Sequence, residues 1–265
     1  MFESILYPII SVGGLAVVFG VVLGFSARKF HVESDPNIDN IVRVLPGANC
    51  GGCGYPGCAV FAERVVKGEA SYNGCPPGGA SAAAKIAKQI GIDAAPTNRK
   101  VAFIKCNGSN DNIKRNYIYD GPKSCVSASQ LATGGNKSCQ YSCIGHGSCQ
   151  NACPFAAIKM VESIAVVDRE KCTACGKCVT VCPKNLIEMV PDKSKIRVLC
   201  NSRDKGRQVM DNCRAGCMGC GICQKVCKAE AIAVKENIAS IDYEKCTMCM
   251  DCVNKCPSKS IKVMP

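Results

Sequence analysis

The 265-residue sequence has no tryptophan, two histidines and an aromatic content of only 5%. A chain this long has room for two or more small domains, yet with so few large rings it cannot rely on extended apolar cores. Scarce histidine, with no nucleophile set beside a base, leaves no catalytic residue to assign. No G-x-G-x-x-G follows a strand pattern, so no flavin or nicotinamide site is indicated. No basic residue precedes the first apolar run, so a cleavable signal peptide is not expected. What is abundant is cysteine: 24 residues, about 9%, the range of disulfide scaffolds and metal proteins. Many of them stand three residues apart, as in ligand loops, and the topology expected from the N-terminal apolar run keeps them in a reducing cytosol. Metal ligation is therefore expected rather than disulfides.

Cys139, Cys143, Cys149, Cys153, Cys172 and Cys182 recur 74 positions later as Cys213, Cys217, Cys223, Cys227, Cys246 and Cys256. Asp168 and Ile187 recur with the same offset as Asp242 and Ile261, so one module is written twice. Within it, Cys172-x2-Cys175-x2-Cys178-x3-Cys182-Pro183 and Cys246-x2-Cys249-x2-Cys252-x3-Cys256-Pro257 are complete bacterial ferredoxin runs. In such a run three thiolates hold one [4Fe-4S] cubane and the fourth crosses to a neighbouring one, so each run needs a partner. The partners are Cys217-x2-Cys220-x2-Cys223-x3-Cys227 and the irregular Cys143-x5-Cys149-x3-Cys153-Pro154.

Crossing assigns Cys217, Cys220, Cys223 and Cys256 to one cluster and Cys246, Cys249, Cys252 and Cys227 to the next. Cys172, Cys175, Cys178 and Cys153 make a third complete set. The set of Cys143, Cys149 and Cys182 lacks a member, because His146 stands where Cys220 stands in the repeat. Cys139 is the candidate replacement. His146 is the alternative ligand, since histidine serves in some iron–sulfur centres, or else a loop residue that tunes the potential. An isoleucine follows each fourth cysteine at +5 (Ile158, Ile187, Ile232, Ile261) and is expected to roof the clusters against water, while Lys228 replaces the usual proline after Cys227.

Upstream, Cys50-Gly-Gly-Cys53-Gly-Tyr-Pro-Gly-Cys58 is completed by Cys75, a C-x2-C-x4-C-x16-C pattern suited to one [4Fe-4S] centre, with structural zinc as the alternative. Its glycines let the backbone wrap a cluster closely and aim amides at sulfur. Four thiols remain, Cys106, Cys125, Cys200 and Cys213. Two of them end echoed strand patterns, Lys100–Lys105 before Cys106 and Lys195–Leu199 before Cys200, so a further cluster on these four competes with buried free thiols. The cofactor count is thus five [4Fe-4S] clusters, or six if these four thiols form a set.

Ile5 to Phe25 is an uncharged run of 21 residues, long enough for a transmembrane helix, with Arg28 and Lys29 after it. The positive-inside rule then places the N-terminus outside and the cysteine-rich region in the cytoplasm, in a single-pass protein of the cell membrane. Ala16, Gly20 and Gly24 form a small-residue stripe suited to a partner helix. His31, beside the membrane, reads as a solvated side chain. The net charge of +12 would by itself suggest a nucleic acid or another anionic partner. Five or six cubanes at about −2 each offset roughly 10 to 12 of those charges, so no nucleic-acid partner is expected.

The expected fold is α+β: a transmembrane anchor over 1–27, a small helical [4Fe-4S] domain over 28–95, and tandem 2[4Fe-4S] ferredoxin-like units over 96–192 and 193–265. With the apolar span, the Cys50 to Cys75 motif and the ferredoxin runs in this order, the chain resembles the RnfB family, a component of the Rnf complex, which is a membrane-bound ion-translocating ferredoxin:NAD oxidoreductase. The resemblance covers essentially the whole chain. It implies a protein that takes electrons from reduced soluble ferredoxin and relays them to membrane subunits carrying flavin and reducing NAD, while Na+ or H+ is moved. The lysines of the last unit (Lys225, Lys228, Lys235, Lys245, Lys255, Lys259) make that unit the expected docking end.

Overall fold

The computed structural model describes residues 2–29, 35–95 and 98–264, with side chains throughout except at 2–11 and 27. His31 and Pro96 lie outside the described residues. Helix α1 (Phe2–Lys29) is followed by α2 (Pro36–Val44), α3 (Cys58–Val66) and α4 (Gly79–Ile90). From Val12 to Phe25 the large apolar side chains of α1 are all more than half exposed, and a Cβ added at Gly20 or Gly24 would touch nothing within 4 Å. Among the described residues, no helix is long and apolar enough to cross a membrane, the described side chains of α1 running unbroken only from 12 to 26.

The three short helices form a small domain. Asp35 caps α2, its carboxylate accepting from the Asn37 N–H at 2.9 Å, with Pro36 in the first turn. Ile41 of α2 and Leu45, which caps its C-terminus, pack on Phe61, Ala62 and Val65 of α3 and on Ile86 of α4. The Cys58 N–H, at the start of α3, donates to Asn49 Oδ1 at 2.8 Å, fixing the Cys50–Cys58 loop against the helix.

The rest consists of strands and short helices: β1 (Lys100–Ile104), α5 (Cys125–Ser129), α6 (Ser148–Asn151), β2 (Ile158–Val161), β3 (Ile164–Val167), α7 (Lys177–Thr180), β4 (Ile187–Pro191), β5 (Ile196–Val198), α8 (Gly206–Asn212), α9 (Ile222–Val226), β6 (Ile232–Lys235), β7 (Ile238–Ile241), α10 (Asp251–Lys255) and β8 (Ile261–Val263). They pair as four antiparallel two-stranded sheets, β1 with β4, β2 with β3, β5 with β8 and β6 with β7. The hairpins β2–β3 and β6–β7 turn on Glu162–Ser163 and Glu236–Asn237, all four at positive φ, as two-residue primed turns require.

The duplication is visible bond by bond. Asp168 donates its N–H to Ala157 O, accepts from the Cys172 N–H at its own carbonyl, and accepts from the Glu170 N–H at its side chain. Asp242 repeats this with Ala231, Cys246 and Glu244. The four isoleucines at +5 begin β2, β4, β6 and β8, and each is at most 6% exposed. The strands before Cys106 and Cys200 are matched too, Ile104 opposite Ile187 and Val198 opposite Ile261. Arg197 stitches the two units together. It is buried, donates to Pro191 O at 2.9 Å, and lies 4.6 Å from the Tyr243 ring and 5.7 Å from the Phe103 ring.

Candidate metal centres

The thiols fall into six groups of four. In the first, burial pushes the Cys75 thiol pKa up, and Cys53, Cys58 and Cys50 beside it push it further. Gly78 is pressed against this group: a Cβ there would lie 2.7 Å from Ala82 Cβ and 3.3 Å from Cys75 Sγ. In the second, burial drives Cys178 up to about 12, with Cys172, Cys175 and Cys153 among its thiol neighbours. The fifth group, Cys217, Cys220, Cys223 and Cys256, lines one cavity. In the sixth, Cys252 is raised to about 11 by burial, with Cys246, Cys249 and Cys227 close by. These four groups are the sets that the crossing rule expects.

The other two groups differ from the sequence expectation. Cys143, Cys149 and Cys182 share their cavity with Cys125, giving the third group, whereas Cys139 stands with Cys106, Cys200 and Cys213 in the fourth. Burial raises the Cys149 thiol to about 11, Cys125 and Cys182 adding to it. Cys139 is raised to about 12, with Cys200, Cys106 and Cys213 adding. The backbone explains the exchange. Ser124 caps α5, and the Cys125 N–H donates to Ser148 Oγ at 2.9 Å, tying Cys125 to the helix that carries Cys149. Cys139 is drawn the other way, because 136–138 runs beside 114–116: Asn116 N–H donates to Asn136 O and Ser138 N–H to Lys114 O, both at 2.9 Å. Ser138 Oγ also donates to Asn212 O at 3.2 Å, next to Cys213.

His146 does not line the third cavity. Its ring lies 4.9 Å from that of Tyr119, and burial, with Lys137 and Lys123 nearby, holds its pKa below the ordinary histidine value.

Among the described residues no three Cys, His, Asp or Glu side chains are gathered as they would be around a single metal ion. Thiols in fours that surround a space instead suit a cubane, whose irons occupy separate corners. Backbone amides are aimed at the sulfurs: Gly108 N–H at Cys106 Sγ (3.3 Å), Ala102 N–H at Cys172 Sγ (3.3 Å), Ser202 N–H at Cys200 Sγ (3.4 Å) and Ala231 N–H at Cys227 Sγ (3.3 Å). At Cys256 burial pushes the pKa up, but the Ser260 and Ser258 hydroxyls and the Ile261 amide together outweigh it and leave the thiol lowered. Such hydrogen bonds are one of the means by which a protein sets a cluster's potential.

Successive groups touch. A Cβ on Gly52 would lie 2.7 Å from Cys175 O, so the first group abuts the second backbone to backbone. Cys149 of the third group is among the neighbours of Cys178 in the second. The Cys143 N–H donates to Cys106 Sγ at 3.4 Å, joining third to fourth. The Cys217 backbone hydrogen-bonds the Cys200 thiol in the same way, joining fourth to fifth. Fifth and sixth are linked by the crossed cysteines Cys227 and Cys256. The Gly52 contact gives a first prediction. Gly52→Val, for which there is no room, is expected to make the segment after Gly91 several-fold more sensitive to proteolysis. Native-like protection would refute the contact.

Two models of known families match, a putative Fe-S cluster domain over residues 45–77 and a 4Fe-4S dicluster domain over 142–186, 171–231 and 216–260. Across the whole chain, the sequence is 42% identical to the B component of the Na+-translocating ferredoxin:NAD+ oxidoreductase complex of Acetobacterium woodii, covering 98% of this chain and 78% of that one. It is 40% identical to the B component of the ion-translocating oxidoreductase complex of Methanosarcina acetivorans, over 98% of this chain and 99% of that one. The chain belongs to the RnfB family. It is an iron–sulfur electron-transfer subunit. A third relative, the B component of the proton-translocating ferredoxin:NAD+ oxidoreductase complex of Clostridium ljungdahlii, is 40% identical over 94% of this chain and 89% of its own length.

Sequence reasoning about this RnfB-family chain missed Lys137. Its side chain is buried, and its ammonium donates to Gly108 O at 2.9 Å and Ser163 O at 2.7 Å. Burial pulls its pKa down, while Cys106, Cys143 and Cys213 of the third and fourth groups pull it back up. A buried cation at a seam between thiol groups has no sequence signature beyond the neighbouring cysteines.

Proposed function

We propose that the six groups hold six [4Fe-4S] clusters, and that this protein takes electrons from reduced ferredoxin and delivers them to flavin- and NAD-binding membrane subunits of an Rnf complex. The observation that carries this is that all 24 cysteines are used, four per group, in six groups that touch in succession. The ligands are then Cys50, Cys53, Cys58 and Cys75; Cys153, Cys172, Cys175 and Cys178; Cys125, Cys143, Cys149 and Cys182; Cys106, Cys139, Cys200 and Cys213; Cys217, Cys220, Cys223 and Cys256; and Cys227, Cys246, Cys249 and Cys252. Bound clusters supply one-electron carriage without proton or group transfer. The protein's part is to space them, to keep water from them with the buried +5 isoleucines, and to aim amides at their sulfurs.

Helix α1, with its exposed apolar side chains and with Arg28 and Lys29 at its end, is proposed as the anchor in the cell membrane, N-terminus outside and cluster domains in the cytoplasm. The first group, which follows the anchor in sequence, faces the membrane subunits in this arrangement, and the sixth faces the soluble donor. The chain purified without oxygen is expected to carry about 24 iron atoms and as many acid-labile sulfides, and to co-purify with flavin-bearing membrane subunits. Zinc without sulfide would overturn the reading.

A further inference from the structure

We propose that the loop Thr247–Met250 is the docking surface for a small acidic iron–sulfur protein, which would sit on Cys249 as this chain's own Cys50–Cys58 loop sits on Cys175. This deepens the relay reading and rests on it. The duplication places Cys175 opposite Cys249, Ala174 opposite Met248 and Gly176 opposite Met250. In the first unit this loop is covered: residues 173–177 are half-buried, and Gly52 lies too close to Cys175 to accept a Cβ. In the second unit Thr247, Met248, Cys249 and Met250 are all exposed. The place where one iron–sulfur loop already docks within the chain is thus open in its copy.

The two methionines are unusual for their positions. The residue that opens each short helix after the second or third thiol has positive φ, and is Gly147, Gly176, Gly221 or Met250; two residues earlier stand Gly145, Ala174, Gly219 and Met248, again at positive φ. A long side chain is disfavoured in that backbone region. Met248 and Met250 occupy it at φ 58° and 67° while remaining 42% and 43% exposed, so little inside the molecule repays the strain. An external contact would, and methionine is suited to adaptable apolar contacts. Only one other cysteine, Cys220, is exposed, and it is flanked by Gly219 and Gly221, which offer a partner no side chain to grip.

Charge selects the partner. Lys228 follows Cys227 of the same group, Lys245 precedes the loop and Lys255 ends α10, all exposed; Glu244 and Asp251 are the opposing charges. An apolar centre with a lysine-rich rim fits an acidic protein. One electron leaves the reduced partner, which is oxidised, and is gained by this chain at the Cys249 end; no bond or proton changes hands.

The test uses the full chain with its clusters, a soluble 2[4Fe-4S] ferredoxin of net negative charge, and the double variant Met248→Gly/Met250→Gly, which relieves backbone strain and should fold. The variant is expected to keep its iron content and electron-paramagnetic-resonance spectrum, to bind the oxidised ferredoxin about tenfold more weakly, and to be reduced by dithionite-reduced ferredoxin about tenfold more slowly. In the native chain, adding oxidised ferredoxin should slow amide hydrogen exchange across 247–250. Native-like binding and uptake by the variant would overturn the surface and point to Cys220 instead. A native chain that takes no electrons from ferredoxin would instead overturn the relay reading, and the docking surface with it.

Discussion

Cys125→Ala is expected to remove about four of roughly 24 iron atoms and to leave Cys143, Cys149 and Cys182 open to alkylation by iodoacetamide. Cys139→Ala should cost as much iron but uncover a different trio, Cys106, Cys200 and Cys213. Mass mapping of the alkylated cysteines reads out the two patterns. The contrast is sharp because Cys125 lines one cavity and Cys139 the other. Uncovering of Cys143, Cys149 and Cys182 by Cys139→Ala would restore the assignment that spacing alone suggests.

Lys137→Met should make reduction at the third and fourth groups at least tenfold less favourable, which for a one-electron step is about 59 mV in midpoint potential. The ammonium lies among Cys106, Cys143 and Cys213, and loaded clusters there are anionic, so its removal disfavours each added electron. The potentials of the other four groups should move far less. Lys137→Arg keeps the charge and should recover part of the shift, whereas a merely structural role would give equal loss in both variants. Methionine also leaves Gly108 O and Ser163 O without their donor, at a cost of about 1–3 kcal/mol each. Redox titration followed by electron paramagnetic resonance separates the two effects, because stability can be measured on the same samples.

Much of this was legible in the sequence, where chemistry is periodic. Runs with three-residue spacing place their thiols by local geometry, so the second, fifth and sixth groups follow from counting. The Asp168 and Asp242 turns follow from the repeat. Cys125 was not legible, because it is 18 residues from Cys143 and reaches its group through Ser148, a contact between loops without a pattern. Cys139 was misleading for the opposite reason: its close spacing to Cys143 imitates a ligand pair, but the pairing of 136–138 with 114–116 turns it toward the other cavity. Lys137 and the exposure of Met248 and Met250 are tertiary facts, set by what covers a segment rather than by the segment itself.

The fourth group takes Cys106 and Cys139 from the first ferredoxin-like unit and Cys200 and Cys213 from the second, so neither unit can build it alone. The cavity these four thiols line lies at the seam between the two units. Because the binding energy of a structural metal site is also folding energy, filling it would fasten the two halves together. Its maturation would then come last, after both halves have folded, and its oxidative loss would break the molecule's mechanical continuity at the same point as its electrical one.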